Sequence, residues 1–575
     1  MVIFDSADGG IIGATLADVE EMADGKLAVR MSGSDVTWMR RKHFSRPPNL
    51  SHRVARINWP VHVTLHSNRR TLDRLLMRLL GIDVGTGGTR VLLLDERGRV
   101  LSSAAAEHAP MRSPQIGWAE QEPLDWWRAA CEAIPRCLQM GQTSAGEIDA
   151  IGLTGQMHGL VLLDAAGDVL RPSIIWCDQR TQKQCEEITE KVGARKLIEL
   201  TANPALTGFT LPKIWWVREN EPEVWKRVRS VLLPKDYLRF RLTGSKATDV
   251  ADASGTLLLD VRGRKWSAEM LEVSRVDESL LPQVFESQEI TGAVSEAGAR
   301  ATGLRSGIPV VAGAGDQAAG AVGMGIVRPG AVSVTIGTSG VVFAATADPV
   351  IEPLGRIHTF CHALPGRWHV MGVTQGAGLS LRWFRDQFGT GKEDSPDAYD
   401  NLTREAAATP PGADGLLWAP YLMGERTPYL DPLARAALVG ITAQHTRGHI
   451  IRAILEGVAF SMRDSLTIFA NLGVPIASIR LGGGGARSEL WRQIQADVYG
   501  RTVEMIAADE GGAYGAALLA GVGIGVWSDV EAACDVAVRV AFAVHPRAEC
   551  GALMNRQYAE YRKLYPALKQ ISTVV

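Results

Sequence analysis

The sequence predicts an α/β protein made of two domains of similar architecture that face each other. Three observations predict it. A chain of 575 residues exceeds what one hydrophobic core organises, so two large domains are expected. From Met77 onward, short apolar runs alternate with segments of helical period. One local design also occurs twice, an apolar strand, a Gly-Thr-x-Gly turn and a second apolar strand. It stands at Gly85-Thr86-Gly87-Gly88 and again, about 250 residues later, at Gly337-Thr338-Ser339-Gly340.

Taken in order, residues 79–84 read as a short buried strand, because the apolar run stops at small residues. Gly85, Gly87 and Gly88 allow a tight turn that brings N–H groups close to an anion. Residues 81–95 and 100–109 then read as hairpin strands joined at Glu96-Arg97-Gly98. Residues 123–140 read as a helix, with Trp126, Trp127, Ala130 and Ile134 on one face. Residues 148–153 and 159–164 are strands, as are 308–312, 330–335 and 341–344. Residues 325–329 form the crossover between the domains, and a long helix covers 446–470. A Gly-rich strand end at Leu481-Gly482-Gly483-Gly484-Gly485 precedes a helix over 489–498, and Glu510-Gly511-Gly512 opens a further helix. Glycines at these openings suit a flat adenosine group, although tight helix packing requires them equally well.

The bulk numbers exclude several classes. A net charge of −2 gives no electrostatic reason to expect a nucleic-acid or membrane partner. The seven cysteines form no C-x-x-C pair and no zinc spacing, which suits reduced thiols in a cytoplasmic enzyme. No apolar run is long enough to span a bilayer, and no signal peptide follows Met1. Residues 1–76 differ from the rest, an acidic block up to 39 followed by a basic one with His43, His52, His62 and His66. They read as a poorly ordered extension or as an upstream start placed ahead of Met77, not as a nucleic-acid arm.

Several residues carry chemistry. Asp83 sets a carboxylate at the mouth of the first glycine turn, where a hydrated divalent cation could bridge it to a phosphate. Thr154-Gly155-Gln156-Met157-His158-Gly159 follows a strand, at the edge where open α/β sheets bind ligands. Trp176-Cys177-Asp178-Gln179-Arg180 combines an aromatic ring with charged groups, as a polyol site would; a structural ion pair explains Asp178 and Arg180 as well. In Ala312-Gly313-Ala314-Gly315-Asp316-Gln317, the carboxylate of Asp316 follows a strand, opens a helix and has only small neighbours. A helix N-terminus should keep it ionised, and an open acceptor is what a general base for an alcohol needs. The plain alternative is an N-cap.

Together these residues resemble the FGGY carbohydrate kinases from Met77 to about Pro566. Two long signatures carry the resemblance. One is Gly208-Phe209-Thr210-Leu211-Pro212-Lys213-Ile214-Trp215-Trp216; the other runs through 436–441, His449-Ile450 and Ala453-Ile454-Leu455-Glu456. Within the family the likeness is strongest to the branch that acts on D-xylulose, through GQMHG at 155–159, LLPKDYLRFRLTG at 232–244, the segment 358–365 and YLMGERTPYLDP at 421–432. The first hairpin departs from the family in having Gly87-Gly88 where relatives often carry serine, and the N-terminal extension is a second departure.

The resemblance implies two actin-like (ribonuclease-H-like) ATPase domains with an interdomain cleft, spanning 77–326 and 327–575. It implies ATP and Mg²⁺ as cofactors, with Asp83 holding the metal through water. Gly85, Thr86, Gly337 and Thr338 would hold phosphates, and Gly483, Gly484 and Arg487 the adenosine. Met157, His158, Trp176, Asp316 and Gln317 would line the sugar, with Asp316 as catalytic base. Homodimers are frequent in the family. Other acceptors in the family are ribulose, fuculose, gluconate and glycerol. A non-catalytic actin-like sugar sensor is the reading from another class, and it would be expected to lack Asp316.

Overall fold

The computed structural model describes residues 77–389, 398–507 and 510–571, and before them only the backbone of short strands within 2–40. Two compact units result, residues 1–68 and 69–575. In the first, Val2–Asp5 pairs antiparallel with Ile11–Ala14, and Leu16–Glu21, Lys26–Met31 and Val36–Arg40 form a three-stranded antiparallel sheet. The expectation of a poorly ordered extension otherwise falls on residues outside the description.

The second unit contains two seven-stranded mixed sheets. The first comprises β1 (Arg78–Val84), β2 (Gly88–Asp95), β3 (Val100–Glu107), β4 (Ala150–Gly155), β5 (Ile290–Ala293), β6 (Pro309–Val311) and β7 (Ala314–Gly315). β1, β2 and β3 form an antiparallel meander; β4 lies parallel to β1, and β6 and β7 lie parallel to β4. The second comprises β8 (Gly330–Ile336), β9 (Gly340–Thr346), β10 (His358–Cys361), β11 (Trp368–Thr374), β12 (Ile476–Gly483), β13 (Val503–Ile506) and β14 (Val540–Val544). Here β8, β9 and β11 form the meander, β12 lies parallel to β8, β13 lies parallel to β12, and an antiparallel strand ends the sheet as in the first. The two sheets repeat one topology, as the paired hairpins predict.

Alternation along the strands decides which face meets which helix. Leu80, Ile82, Val84, Val91 and Leu93 pack with Trp126, Ala130 and Ile134 of helix α1 (Pro123–Met140) and with Tyr237 and Leu238 of α2 (Pro234–Thr243). Both helices open with proline in the first turn, where no intrahelical N–H bond is lost. A one-turn helix, α3 (Val250–Ala253), follows α2. The opposite strand face, with Leu79, Leu92 and Leu94, meets α4 (Asp316–Gly323). In the second sheet, Val332, Val334 and Val342 pack on α5 (Arg447–Asn471), capped by the Thr446 and His449 side chains. Finally, α6 (Gly511–Gly523) returns to the first sheet: Ala513, Ala517 and Leu518 cover Leu79 and Ala150.

One expectation shifts in register and another keeps its place. The strand read at 148–153 runs instead from Ala150 to Gly155, because parallel pairing with β1 and β7 continues through Thr154 and Gly155. The crossover at 325–329 falls between α4 and β8. Among the described residues no helix is long and apolar enough to cross a membrane.

Candidate active site

Three parallel strands end side by side in the first sheet. Asp83 of β1 is level with Thr154 of β4, and Thr154 with Ala314 of β7, so the chain that leaves β7 brings Asp316 to the same edge. Two strand spacings put these edge positions about 10 Å apart. The side chain of Asp316 has no ion-pair partner among the described residues; its neighbour Gln317 donates to it at 3.4 Å. The helix cap is Gly315, not Asp316, whose side chain is left available.

The electrostatics differ from the sequence expectation. Burial, followed by the nearby Asp83 carboxylate, pushes Asp316 up to about 7, so the helix N-terminus does not hold it low. The first turn of an eight-residue helix cannot offset desolvation and a like charge together. Burial likewise lifts Asp83 to about 6, against the lowering effect of Arg90.

Around Asp83 the polar groups are short of partners. Its Oδ1 and the Thr154 hydroxyl are buried without a hydrogen bond. Gly512 of α6 faces both: a Cβ there would lie 3.2 Å from Asp83 Oδ2 and 3.1 Å from the Thr154 methyl. Among the described residues no three His, Cys, Asp or Glu side chains converge into a ready metal cage. A single carboxylate and an orphaned hydroxyl fit a largely hydrated cation.

The two hairpins are built differently. In the first, the Gly85 N–H donates to the Gly88 carbonyl at 3.0 Å and Gly87 projects into solvent. Its Thr86 is tied down: the carbonyl accepts from Gln121 at 2.6 Å and the hydroxyl accepts from the Trp176 indole at 3.0 Å. In the second, the Gly337 N–H donates to the Ser339 carbonyl at 2.9 Å, while Gly337 and Thr338 are exposed. Gly483 ends β12 level with Ile336, at φ +73°, and a Cβ there would meet the Ile336 carbonyl at 2.6 Å. Gly484 and Arg487 follow, exposed, so these residues gather beside the second hairpin.

Met157 and His158 leave the end of β4. Met157 packs against Gly315, where a Cβ would meet its Cγ at 2.8 Å. His158 takes φ +69°, unusual for a residue with a Cβ, and its Nδ1 lies 2.8 Å from the Gly255 carbonyl. Burial and the Lys213 ammonium push His158 down to about 3, so the imidazole is neutral. Lys213 donates to the carbonyls of His158 at 2.9 Å and Gly208 at 2.7 Å, which joins the family signature to the GQMHG turn. Asp178 and Arg180 pair at 2.7 Å with both side chains fully buried, and Asp178 accepts from the Ala119 N–H. Theirs is the structural role; Trp176 remains half-buried at the site.

Sequence reasoning missed the support behind Asp316. Lys235 of α2 is fully buried among Asp236, Asp249 and Asp252, at 2.5, 2.8 and 3.3 Å. Burial raises both Asp249 and Asp252, and Asp316 adds to the rise at Asp252. Arg239 donates to the carbonyls of Val311 and Ala312 and to Thr291, fixing the strand that leads to Asp316. The signal was the charged run Lys235-Asp236-x-x-Arg239, whose three side chains are buried in this helix.

Models of the FGGY family of carbohydrate kinases match this chain twice, the N-terminal domain over residues 78–323 and the C-terminal domain over 332–524. A xylulose kinase of Bacillus subtilis is 37% identical over 497 residues, 86% of this chain and 98% of the relative. One from Escherichia coli is 42% identical over 442 residues, 77% of this chain and 89% of the relative. The crystal structure of a kinase from Brucella ovis, titled a xyloylose kinase, superposes with a TM-score of 0.79 at 37% identity, covering 86% of this chain and all of that one.

Proposed function

The chain belongs to the FGGY family of carbohydrate kinases and is an ATP-dependent sugar kinase, and from that premise we propose that it converts D-xylulose to D-xylulose 5-phosphate with Asp316 as general base. The observation that carries the mechanism is the placement of Asp316: it opens a helix beside Asp83, does not cap that helix, and is raised to about 7. A base of that strength is half ionised near neutral pH and can still take a proton from an alcohol.

In the reaction, Asp316 accepts the proton of the terminal hydroxyl as its oxygen attacks the γ-phosphorus of ATP in line. The bond to the bridging oxygen breaks and ADP leaves. Thr86, Thr338 and the N–H groups of the glycine turns hold the phosphates, while Gly483, Gly484 and Arg487 border the adenosine. Asp83, with the orphaned Thr154 hydroxyl beside it, is where a hydrated Mg²⁺ would be held, and the ion would supply positive charge to the phosphoryl oxygens. Positioning and fixed charge carry most of such catalysis. Met157, neutral His158, Trp176 and Gln317 orient the ketose. All seven cysteines are free, which fits a cytoplasmic location.

The choice of D-xylulose rests on the named relatives and on the 155–159, 232–244 and 421–432 motifs. A coupled ADP-release assay over D-xylulose, ribulose, fuculose, gluconate and glycerol tests it. D-xylulose should give the highest kcat/KM; no response to it would overturn the proposal.

A further inference from the structure

Among the described residues, the side chain of Arg426 makes no hydrogen bond and no ion pair. Arg426 lies in the loop that closes with the Glu425–Asp431 bridge, where each N–H donates to the other's carbonyl at 2.8 Å. The loop is rigid around it. Glu425 accepts from the Gln375 N–H at 3.0 Å and from the Arg426 N–H at 2.8 Å, and its other oxygen accepts from the Thr374 hydroxyl. The Thr427 N–H donates to the Val373 carbonyl of β11, and its hydroxyl accepts from the Val373 N–H at 3.0 Å. Every backbone neighbour of Arg426 is therefore fixed, yet among the described residues its guanidinium makes no hydrogen bond and no ion pair.

The guanidinium points at the opposite wall. Its Nη2 lies 3.7 Å from where a Cβ on Gly208 would stand, beside the Trp176 carbonyl. Gly208 and His158 are joined by the Lys213 ammonium, so this wall is the one that carries Trp176 and His158. Arg426 adds to the lowering of both His158 and His358, after burial, whereas the charge acting on Asp316 is that of Asp83. Arg426 thus overlooks the His158 end of the site, away from the reacting edge.

We propose that Arg426 is the second domain's contact to the sugar, its guanidinium donating to the ketose oxygens remote from the hydroxyl that is phosphorylated. A planar fork of donors suits two neighbouring oxygens on one chain, which a lysine cannot match. A ketose held between Trp176 and His158 on one wall and Arg426 on the other ties the two halves together, so sugar occupancy itself favours the closed arrangement. The proposal rests on the sugar-kinase reading above.

The test is steady-state kinetics on Arg426→Ala and Arg426→Lys, using whichever acceptor the wild-type enzyme turns over best. The acceptor KM should rise by about 10- to 100-fold in the alanine variant and less in the lysine variant, the loss expected for hydrogen bonds to a charged donor. The KM for ATP should stay within about twofold, and added guanidinium ion should partly restore the alanine variant, which a purely structural arginine would not show. An acceptor KM within about twofold of wild type, or an equal rise in both KM values, overturns the proposal. If the alanine variant does not fold, the lysine variant, which keeps the charge but loses the fork, decides by the same KM comparison. A different best acceptor in the wild-type panel would count against the D-xylulose reading, while an unmoved acceptor KM counts against Arg426.

Discussion

The indole N–H of Trp176 donates to the hydroxyl of Thr86 at 3.0 Å, joining the wall assigned to the sugar directly to the hairpin assigned to phosphate. The same hydroxyl lies 3.4 Å from the Gln156 side chain, which in turn donates to Gln121 at 2.9 Å, and Gln121 holds the Thr86 carbonyl. A closed circuit of side chains therefore fixes where the hairpin sits relative to the acceptor.

Trp176→Phe keeps the ring and removes the donor. Its kcat/KM should fall roughly fivefold to tenfold, with both acceptor and ATP affected, since one hydrogen bond is worth about 1 kcal/mol. A double-mutant cycle with Thr86→Val should show a coupling energy of about 1 kcal/mol. Strict additivity would show that the two residues work independently.

Asp316→Asn and Asp316→Ala should lower turnover by roughly 10²- to 10⁴-fold while ATP binding, followed by titration calorimetry, stays close to wild type. In the wild-type enzyme the base works only when ionised. With Asp316 raised to about 7, kcat/KM should be low in acid, climb with pH and pass half its maximum near neutrality. The residual activity of Asp316→Asn should lack that acid limb. A wild-type profile flat from pH 5 to 9 would refute Asp316 as the titrating base.

Lys235→Met leaves Asp236, Asp249 and Asp252 buried without their shared ammonium. Breaking such a buried cluster should cost about 3–5 kcal/mol, read as a lower midpoint in urea. An unchanged midpoint would show that the carboxylates take up protons at little cost.

Much of this was legible beforehand because it is written in local pattern. The strand alternation at 79–95, the paired glycine turns and the proline-started helices are properties of adjacent residues. Asp316 could be singled out because small residues surround it in sequence. Its weakened acidity could not, since that depends on burial and on Asp83, which only the sheet register brings near. The Lys235 cluster gathers residues from two helices and a strand, and Arg426 reaches its wall across more than 200 intervening positions counted from Gly208. Asp178 and Arg180 show the reverse case: adjacent charges that suggest a ligand are satisfied by each other and by Glu120 at 2.8 Å.

A chain that begins at Met77 contains every residue assigned a role above. It should fold and match the full-length protein in kcat and in both KM values within about twofold. Loss of activity on removing residues 1–76 would give that segment a part in catalysis or folding.

The last helix to reach the first sheet does so without side chains in the way. A Cβ on Gly81 or Gly152 would strike the carbonyls of Ala513 or Ala516, and one on Gly515 that of Ala319, all within 2 Å. Backbone therefore lies on backbone where α6 crosses β1, β4 and α4. On the ribosome, the first sheet is complete by β7, yet the helix that covers Leu79 and Ala150 is synthesised almost 200 residues later. Until then an oily surface waits for its cover, and a nascent chain cut short before Gly511 would be a client for chaperones rather than a half-enzyme.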